Sequence, residues 1–264
     1  MKRLVLSTFY TNGGHIQDTP PLLILRLYKY HYYTFFNILY YMQKELVISK
    51  FVRDTSWVNK INKDVSIKKY IKGKNLNLYD EIYIENNVGR DVHTFFYHIL
   101  NNYDNLADIT FFSQDYPFDH IENYIEIINS DIDFITKSSM LHFDGYWGFA
   151  LSELYSSIYS GGVWTCSDTG HPHDNNLFLN ETWKSLFDCP YPSKYDFVPG
   201  GHFCITKENA RIRSKEFYQH LVTLLETYYK MPWNIERLES YIFNKSYTSN
   251  SKFVIDSLEK YEKN

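Results

Sequence analysis

The chain has 264 residues, of which 44% are hydrophobic, so it is long enough and apolar enough to bury a globular core. Its 27 basic and 31 acidic residues give a net charge of −4, which argues against a dedicated nucleic-acid binder. Its three cysteines, Cys166, Cys189 and Cys204, include no CxxC pair, so we expect a reducing, cytoplasmic location rather than a disulfide framework.

The first 45 residues are predicted to form a strand, a polar loop and a helix. Residues 4–9 form an apolar run typical of a buried strand, and a polar loop over 11–14 follows it. Apolar residues lie around most of the circumference of a helix predicted over residues 21–45. The first apolar run is too short for a signal peptide and charges interrupt the helix, so we expect no membrane span.

Between residues 81 and 136 the chain is predicted to alternate strands and helices, after a weakly patterned stretch over 51–78. Strands are predicted over residues 81–85, 109–113 and 132–136. Two helices lie between them, the first capped by Asp91 and the second by Asp119. Such alternation with short connections is typical of a mainly parallel sheet that helices cover.

The chain over residues 137–200 is predicted to be rich in loops, because glycine and proline recur there. A strand is predicted over 203–206, and two helices follow, over 214–230 and after Pro232. Residues 249–264 are expected to form a polar tail or a surface helix. No internal repeat or long linker is visible, so we expect a single domain.

The first candidate site is the sequence NNVGRD of residues 86–91, between a predicted strand and a predicted helix. Ligands usually bind at this edge of an α/β sheet. N–H groups at the helix start would favour an anion, and Arg90 could clamp a phosphate. The alternative is a structural turn in which Gly89 bends the chain, Asp91 caps the helix and Arg90 forms a salt bridge. Neither a GxGxxG fingerprint nor a P-loop is present.

The second candidate site is the sequence FFSQDYPFDH of residues 111–120, where a hydrophobic strand runs into a polar segment. Acidic groups at the carboxyl end of a strand are well placed to hold a divalent cation that bridges a diphosphate. Asp119 has an alternative role as a helix cap, and His120 as a surface residue. Asp115 lacks such a structural role in the sequence, so we interpret it as functional.

The third candidate site is the sequence DTGHPHD of residues 168–174. Its His171, His173 and Asp174 form an HxHD string of the kind found in metallohydrolases. The further Asp-His pair of the usual metallo-β-lactamase motif is missing, so an exposed loop or a substrate-binding loop is the alternative.

The fourth candidate site combines the sequence VPGGHF of residues 198–203 with Glu236 early in a later helix. Paired glycines allow a close approach of the backbone to a ligand. His202 could ligate a metal or contact a phosphate, and Glu236 is a candidate general base. The alternative for Glu236 is a favourable interaction with the helix dipole.

Taken together, these stretches resemble a family with fungal and bacterial members, catalogued as a domain of unknown function, that looks like glycosyltransferases of the GT-A fold. The resemblance covers roughly residues 81–136 and 196–243. The matching positions are Asn87, Gly89, Arg90, Asp91, Tyr103, Asp104, Leu106, Asp108, Gln114, Asp119, His120, Pro199, Gly200, Phe203, Glu236, Arg237 and Leu238. The chain departs from the GT-A pattern at Ser113-Gln114-Asp115, which stands where an Asp-x-Asp metal motif is expected.

The resemblance implies a GT-A-like α/β fold, with a mixed, mainly parallel sheet covered by helices on both faces. It also implies transfer of a sugar from a nucleotide-diphosphate donor to a glycan or another hydroxyl acceptor. Residues 1–136 would be the nucleotide-binding half, 137–248 the acceptor and catalytic half, and 249–264 a polar tail. The implied donor-binding residues are Thr8, Tyr10, Thr11, Asn87, Gly89, Arg90, Asp91 and Gln114.

The resemblance further implies a cation that stabilises the leaving diphosphate. Asp115 would hold Mn²⁺ or Mg²⁺ together with His202, and Arg90 would supply the positive charge if no metal binds. Glu236 or Asp174 would deprotonate the acceptor. The implied acceptor cleft contains Trp147, Trp164, His171, His173 and Trp233.

Two other functions compete with this interpretation. The first is a metal-dependent hydrolase of phosphoesters or glycans, with His171, His173, Asp174 and Asp115 as ligands. The second is a non-catalytic glycan-binding protein that retains the fold of a transferase.

Overall fold

The computed structural model describes residues 42–72, 81–84, 87–150, 156–159, 177–253 and 255–264. These residues belong to one compact unit, Met42–Asn264. The strand predicted over 4–9, the loop over 11–14 and most of the helix over 21–45 lie outside them.

The described part of the chain contains a seven-stranded mixed sheet and a separate two-stranded sheet. The strands are β1 (Lys44–Lys50), β2 (Val65–Lys72), β3 (Glu81–Ile84), β4 (Ile109–Gln114), β5 (Leu141–Phe143), β6 (Tyr146–Gly148), β7 (Ser156–Tyr159), β8 (Lys194–Phe197) and β9 (Phe203–Thr206). The large sheet has the order β3-β2-β1-β4-β9-β6-β5, and β7 pairs with β8. The first four strands of this order are parallel, whereas β9, β6 and β5 join through antiparallel pairings.

Helices connect and cover these strands. The α-helices are α1 (Arg90–Asn101), α2 (Tyr124–Asn129), α3 (Ile132–Ser138), α4 (Leu179–Leu186), α5 (Lys207–Ala210), α6 (Lys215–Thr227) and α7 (Met231–Ile242). Short 3₁₀ helices lie at Ser56–Lys60, Pro117–Asp119 and Asp256–Leu258. Among the described residues, no helix is both long enough and apolar enough to cross a membrane.

Strand β1 lies at the centre of the parallel half, and its sequence KELVISK explains why. Leu46, Val47 and Ile48 are fully buried, as expected for a parallel strand with both faces covered. Val47 packs against α1 and the C-terminal helices, whereas Leu46 and Ile48 face the cluster that contains α2 and α3. The sheet therefore carries a hydrophobic core on each face.

The larger of these two cores depends on helix α1. Its apolar residues recur at helical spacing, and Phe95, Phe96 and Ile99 are fully buried. The ring of Phe95 lies 5.4 Å from that of Phe112 on β4. Burial of each phenylalanine stabilises the fold by on the order of 2–3 kcal/mol. This packing fixes the start of α1 at the carboxyl end of the parallel strands.

The structure confirms the strand predictions around 81–85, 109–113 and 203–206. It also confirms the helices predicted from Asp91, over 214–230 and after Pro232, which are α1, α6 and α7. The prediction of a strand over 132–136 is wrong, because these residues begin helix α3. The side chain of Asp131 caps that helix, accepting a hydrogen bond from the N–H of Phe134 at 3.0 Å. The N-cap aspartate outweighs the β-branched residues behind it.

Two other local predictions are also wrong, and one strand was not predicted. The helix predicted over 21–45 does not reach residue 45, because Lys44 and Glu45 already belong to β1. The strand that was not predicted is β2, in the weakly patterned stretch over 51–78, which also contains the 3₁₀ helix Ser56–Lys60. Helix α1 begins after Gly89, so Asp91 lies inside its first turn and does not cap it.

Asp119 does not cap a helix either, because it ends the 3₁₀ helix Pro117–Asp119. Its carboxylate instead accepts from Arg53 Nη1 at 2.5 Å.

The C-terminal segment packs against the rest of the unit. Single bridges pair Phe187 with Ser249 and Tyr228 with Lys263. Leu258 is fully buried in the larger core. Much of the segment predicted as a polar tail is therefore anchored to the folded unit.

Candidate functional site

A cavity of about 440 Å³ opens at the carboxyl ends of β1, β2 and β4, beside the start of α1. The predicted site residues that line it are Asn87, Gly89, Arg90, Asp91, Gln114, Asp115 and Trp233. The lining residues not predicted as site residues include Ser49, Phe51, Lys72, Tyr229 and Asn264. The structure thus brings the first two candidate stretches of the sequence together.

The position of the cavity follows from the order of the strands. From β1 the chain moves outward to β2 and β3 on one side, and then returns to β4 on the other side of β1. Ser49 on β1 pairs in register with Gln114 on β4, so both strands end at the same edge. Ligands of open α/β sheets bind in the crevice outside the carboxyl ends of strands at such a switch point.

Two consecutive residues with positive φ introduce helix α1 at the cavity. Gly89 has φ +67°, and a Cβ atom at this position would lie 2.6 Å from His93 Cβ. Arg90 has φ +52°, which is unfavourable for a residue with a side chain. The N-cap residue Gly89 has no side chain that could cap the helix, and the first residues of the helix, Arg90 and Asp91, line the cavity.

The side chain of Arg90 lies at the mouth of the cavity and is 49% exposed. Its guanidinium carbon lies 5.1 Å from the ring centroid of Trp233 on α7. Its Nε atom is 4.0 Å from Asp91 Oδ1, at the limit of an ion pair. The indole ring therefore supports a cation that keeps much of its hydrogen-bonding capacity.

Lys72 is a buried cation in the cavity wall that the sequence did not identify as a site residue. It is only 3% exposed, and its Nζ donates to the carbonyl of Val88 at 2.5 Å and to that of Arg90. Burial lowers the pKa of Lys72 to about 7, although Asp91 and Glu226 oppose the shift. The Nζ amine thus ties the end of β2 to the loop before α1 and to the first residue of α1.

Asp115 holds the loop that follows β1. Its Oδ2 accepts from the backbone N–H groups of Phe51 at 3.2 Å, Val52 at 3.1 Å and Arg53 at 2.8 Å. The indole Nε1 of Trp57 donates to its carbonyl at 2.8 Å. The expectation that Asp115 lacks a structural role is therefore wrong, because the loop it braces is distant in sequence.

A hydrogen-bonded group of polar residues lies between the cavity and the glycine turn before β9. Gln114 Nε2 donates to the carbonyl of Gly200 at 3.0 Å, and the N–H of Gly200 donates to Glu236 Oε1 at 2.9 Å. Burial raises the pKa of Asp91 above its ordinary value, and the charge of Glu236 adds to this shift, while Arg90 opposes it. Glu236 thus braces the turn beside the first turn of α1.

The structure does not bring Glu236, His202 or Trp147 to the cavity wall. His202 is 1% exposed, and its ring lies 5.4 Å from that of His120. Burial holds the pKa of His202 well below its ordinary value. Trp147 is buried in the smaller core, beside α2 and α3, and its indole Nε1 donates to Thr136 Oγ1 at 3.0 Å.

The remaining predicted site residues lie outside the described part of the chain. They are Thr8, Tyr10, Thr11, Trp164, His171, His173 and Asp174. Within the described part, no group of three or more His, Cys, Asp and Glu side chains is arranged to hold a metal ion.

The comparison with known proteins concerns the same part of the chain that builds most of the cavity. The family described as protein of unknown function DUF3431 matches residues 46–256. Comparisons with curated proteins and with solved structures find no match. Because the family match covers most of the chain, the protein belongs to the DUF3431 family.

Proposed function

We propose that the protein is a glycosyltransferase that moves a sugar from a nucleoside-diphosphate donor to a hydroxyl acceptor such as a glycan. The observation that carries the proposal is the cavity at the β1–β4 switch point, where Arg90 and the start of α1 face a ligand-sized space. Its volume of about 440 Å³ lies within the usual range of small-molecule sites.

The arrangement of the sheet supports the GT-A-like part of the proposal. The parallel strands in the order β3-β2-β1-β4 resemble the first half of doubly wound nucleotide-binding folds. Since β1 lies at the switch point of the sheet, the loop that follows it, including Phe51, would contact the donor. The resemblance implied this role for Thr8, Tyr10 and Thr11, at and just after the end of the strand predicted over 4–9.

The diphosphate of the donor would lie against the start of α1. N–H groups at a helix start and a nearby guanidinium both favour a phosphate. Arg90 is already oriented by Trp233, so less side-chain entropy is lost when it binds an anion. The positive φ of Arg90 is consistent with a functional role, because strained backbone is concentrated at ligand sites.

The reaction would break the bond between the anomeric carbon and the donor phosphate and form a bond to the acceptor oxygen. The leaving diphosphate gains negative charge, which Arg90 and the N–H groups of α1 would stabilise. Glu236 or Asp174 would accept the proton of the acceptor hydroxyl if the configuration is inverted.

Mn²⁺ or Mg²⁺ is part of the proposal, with Asp115 as its ligand. Mg²⁺ is typically held by one or two carboxylates together with substrate phosphates, so a single aspartate at the cavity is a suitable protein ligand. When bound, the cation would supply further positive charge for the leaving group. His202 is a less suitable ligand, because it is buried and does not line the cavity.

A thermal-shift screen tests the proposal and its alternatives. Because a ligand that binds the native state raises the unfolding midpoint, UDP or GDP should raise it, with or without Mn²⁺. Stabilisation by zinc alone would favour the hydrolase, and stabilisation by free sugars alone would favour the glycan-binding protein. The stabilising nucleotide should then be released from its sugar conjugate when an acceptor is present. A protein that neither UDP nor GDP stabilises would contradict the proposal.

A further inference from the structure

Lys72 is a buried basic residue that lines the cavity. It lines the cavity wall at the end of β2, and its Nζ donates to the carbonyls of Val88 and Arg90. Among the described residues, no Asp or Glu oxygen lies within 4.0 Å of this nitrogen. Two peptide carbonyls satisfy its hydrogen bonds but do not neutralise its charge.

The surroundings of Lys72 show why this charge is unbalanced. The ionisable groups that influence it are Asp91 and Arg90 on α1 and Glu226 on α6, and its own charge acts on His93 of α1. The negative charge of Asp91 raises the pKa of Lys72, whereas the positive charge of Arg90 lowers it. A buried charge without a partner is costly, so such a group either loses its charge or acquires a counter-ion.

We propose that Lys72 is the proton-binding counter-ion of the phosphate site, so that binding of a diphosphate is coupled to uptake of one proton by the Nζ amine. In the step, a neutral –NH₂ group takes a proton from solvent and becomes –NH₃⁺, and no bond to the ligand is formed. The proposal rests on the proposed function only in taking the diphosphate to be that of a nucleotide.

The electrostatics of the empty cavity favour this coupling. Burial lowers the pKa of Lys72 to about 7, so at pH 8 the amine is largely neutral in the free protein. A nearby anion favours the charged form and raises the pKa again. Above pH 7 the binding constant should therefore fall by up to about tenfold per pH unit, as expected for uptake of one proton.

Calorimetric titration at pH 8 measures the protons directly. Inorganic pyrophosphate, UDP and GDP are each titrated in two buffers with different ionisation enthalpies, and the difference in heat gives the number of protons taken up. The second pKa of a phosphate monoester is about 6, so a nucleotide's terminal phosphate is already ionised at pH 8. We expect uptake of close to one proton by the wild-type protein.

Variants assign the proton to Lys72. Lys72→Met should abolish the uptake and weaken binding at least tenfold at pH 7. Lys72→Arg should bind without uptake, because arginine stays charged at every pH used. Lys68→Met changes a partly exposed lysine of the same strand outside the cavity wall and should behave as wild type. Asp91→Asn should keep the uptake, which separates Lys72 from the neighbouring carboxyl.

The outcomes separate this proposal from the proposed function. Pyrophosphate binding with proton uptake, but without nucleotide binding, would support Lys72 and contradict the transferase. Nucleotide binding without uptake, or with the same uptake in Lys72→Met, would overturn the role of Lys72 alone. If a variant does not fold, the proton uptake of the wild-type protein still tests the role of Lys72. A wild-type protein that binds none of the three ligands would overturn both the role of Lys72 and the proposed function.

Discussion

Asp115 has a structural role in the fold in addition to its proposed role as a cation ligand. The sequence placed it at the end of a buried strand, where an acidic group is suited to hold a cation. In the fold, one of its oxygens accepts three N–H groups from the loop after β1. Local sequence could not reveal this role, because the donors lie more than 60 residues away.

Two substitutions of Asp115 separate its structural role from its proposed catalytic role. Asp115→Asn keeps an oxygen that can accept the loop N–H groups, so its free energy of unfolding should stay close to that of wild type. Asp115→Ala leaves these groups unpaired and should lower the free energy of unfolding by about 1–3 kcal/mol. Both variants should lose sugar transfer, measured as nucleotide release. Full activity in Asp115→Asn would remove the carboxylate from the mechanism.

Lys72 predicts a pH dependence of stability without any ligand. Its pKa is lowered to about 7 in the folded protein, whereas in the unfolded chain it has its ordinary value of 10.5. Between these values the unfolded chain holds a proton that the folded protein lacks, so stability rises with pH. The rise is at most about 1.4 kcal/mol per pH unit and is absent below pH 7.

Denaturant unfolding of wild type and Lys72→Met between pH 6 and 9 tests this prediction. The difference in free energy of unfolding should be constant below pH 7 and change in favour of wild type above it. Comparison of the two proteins cancels the groups they share. Parallel curves over the whole range would show that Lys72 titrates at its ordinary pKa.

At the scale of elements, the prediction from sequence was accurate where local signals agree with the tertiary fold. Helix α1 and strand β4 were found because their apolar spacing matches their burial. Strand β2 was missed because three lysines obscure its pattern, and one of them, Lys72, is buried against carbonyls. The β-branched residues over 132–136 predict a strand, but the N-cap Asp131 starts helix α3 there.

The turn before β9 gives a prediction at the same scale. Gly200 has φ +99°, and a Cβ atom there would lie 2.6 Å from His120 Cδ2. Gly201 has φ +65°, but a Cβ atom there would meet its nearest neighbours at 3.5 Å. Gly201→Ala should therefore cost about 1–2 kcal/mol of stability from the backbone alone. Gly200→Ala should cost about 1–3 kcal/mol more, because it also overpacks the site.

A double-mutant cycle checks the cause of that difference. The His120→Ala, Gly200→Ala double variant removes the imidazole ring that the new Cβ atom would contact. It should therefore recover the steric part of the free energy of unfolding that Gly200→Ala loses, measured by denaturant unfolding. Equal costs at Gly200 and Gly201, or additive effects of the His120 substitution, would exclude a clash with His120.

At the scale of the whole molecule, the sequence predicted the α/β class and the two stretches that meet at the cavity. It did not predict β1, because the helix predicted over 21–45 overlaps the start of this strand and the order of the sheet depends on contacts distant in sequence. The lining residues Ser49 and Phe51 were missed for that reason. Asn264 was not predicted as a lining residue, because the C-terminal segment is polar in sequence. In the fold, the N–H of Asn264 donates to the carbonyl of Thr227 at 2.9 Å, which holds the end of the chain against α6.

The proposed function requires that the cavity beside α1 binds a nucleoside diphosphate through Arg90. Calorimetric titration of wild type, Arg90→Ala and Arg211→Ala with UDP and GDP, in the presence of Mn²⁺, measures this binding. Arg211 is an exposed arginine outside the cavity wall and serves as the matched control. We predict that wild type and Arg211→Ala bind one nucleotide equally well and that Arg90→Ala binds it at least about tenfold more weakly. Equal affinity in all three proteins, or no binding of either nucleotide to wild type, would contradict the proposed function.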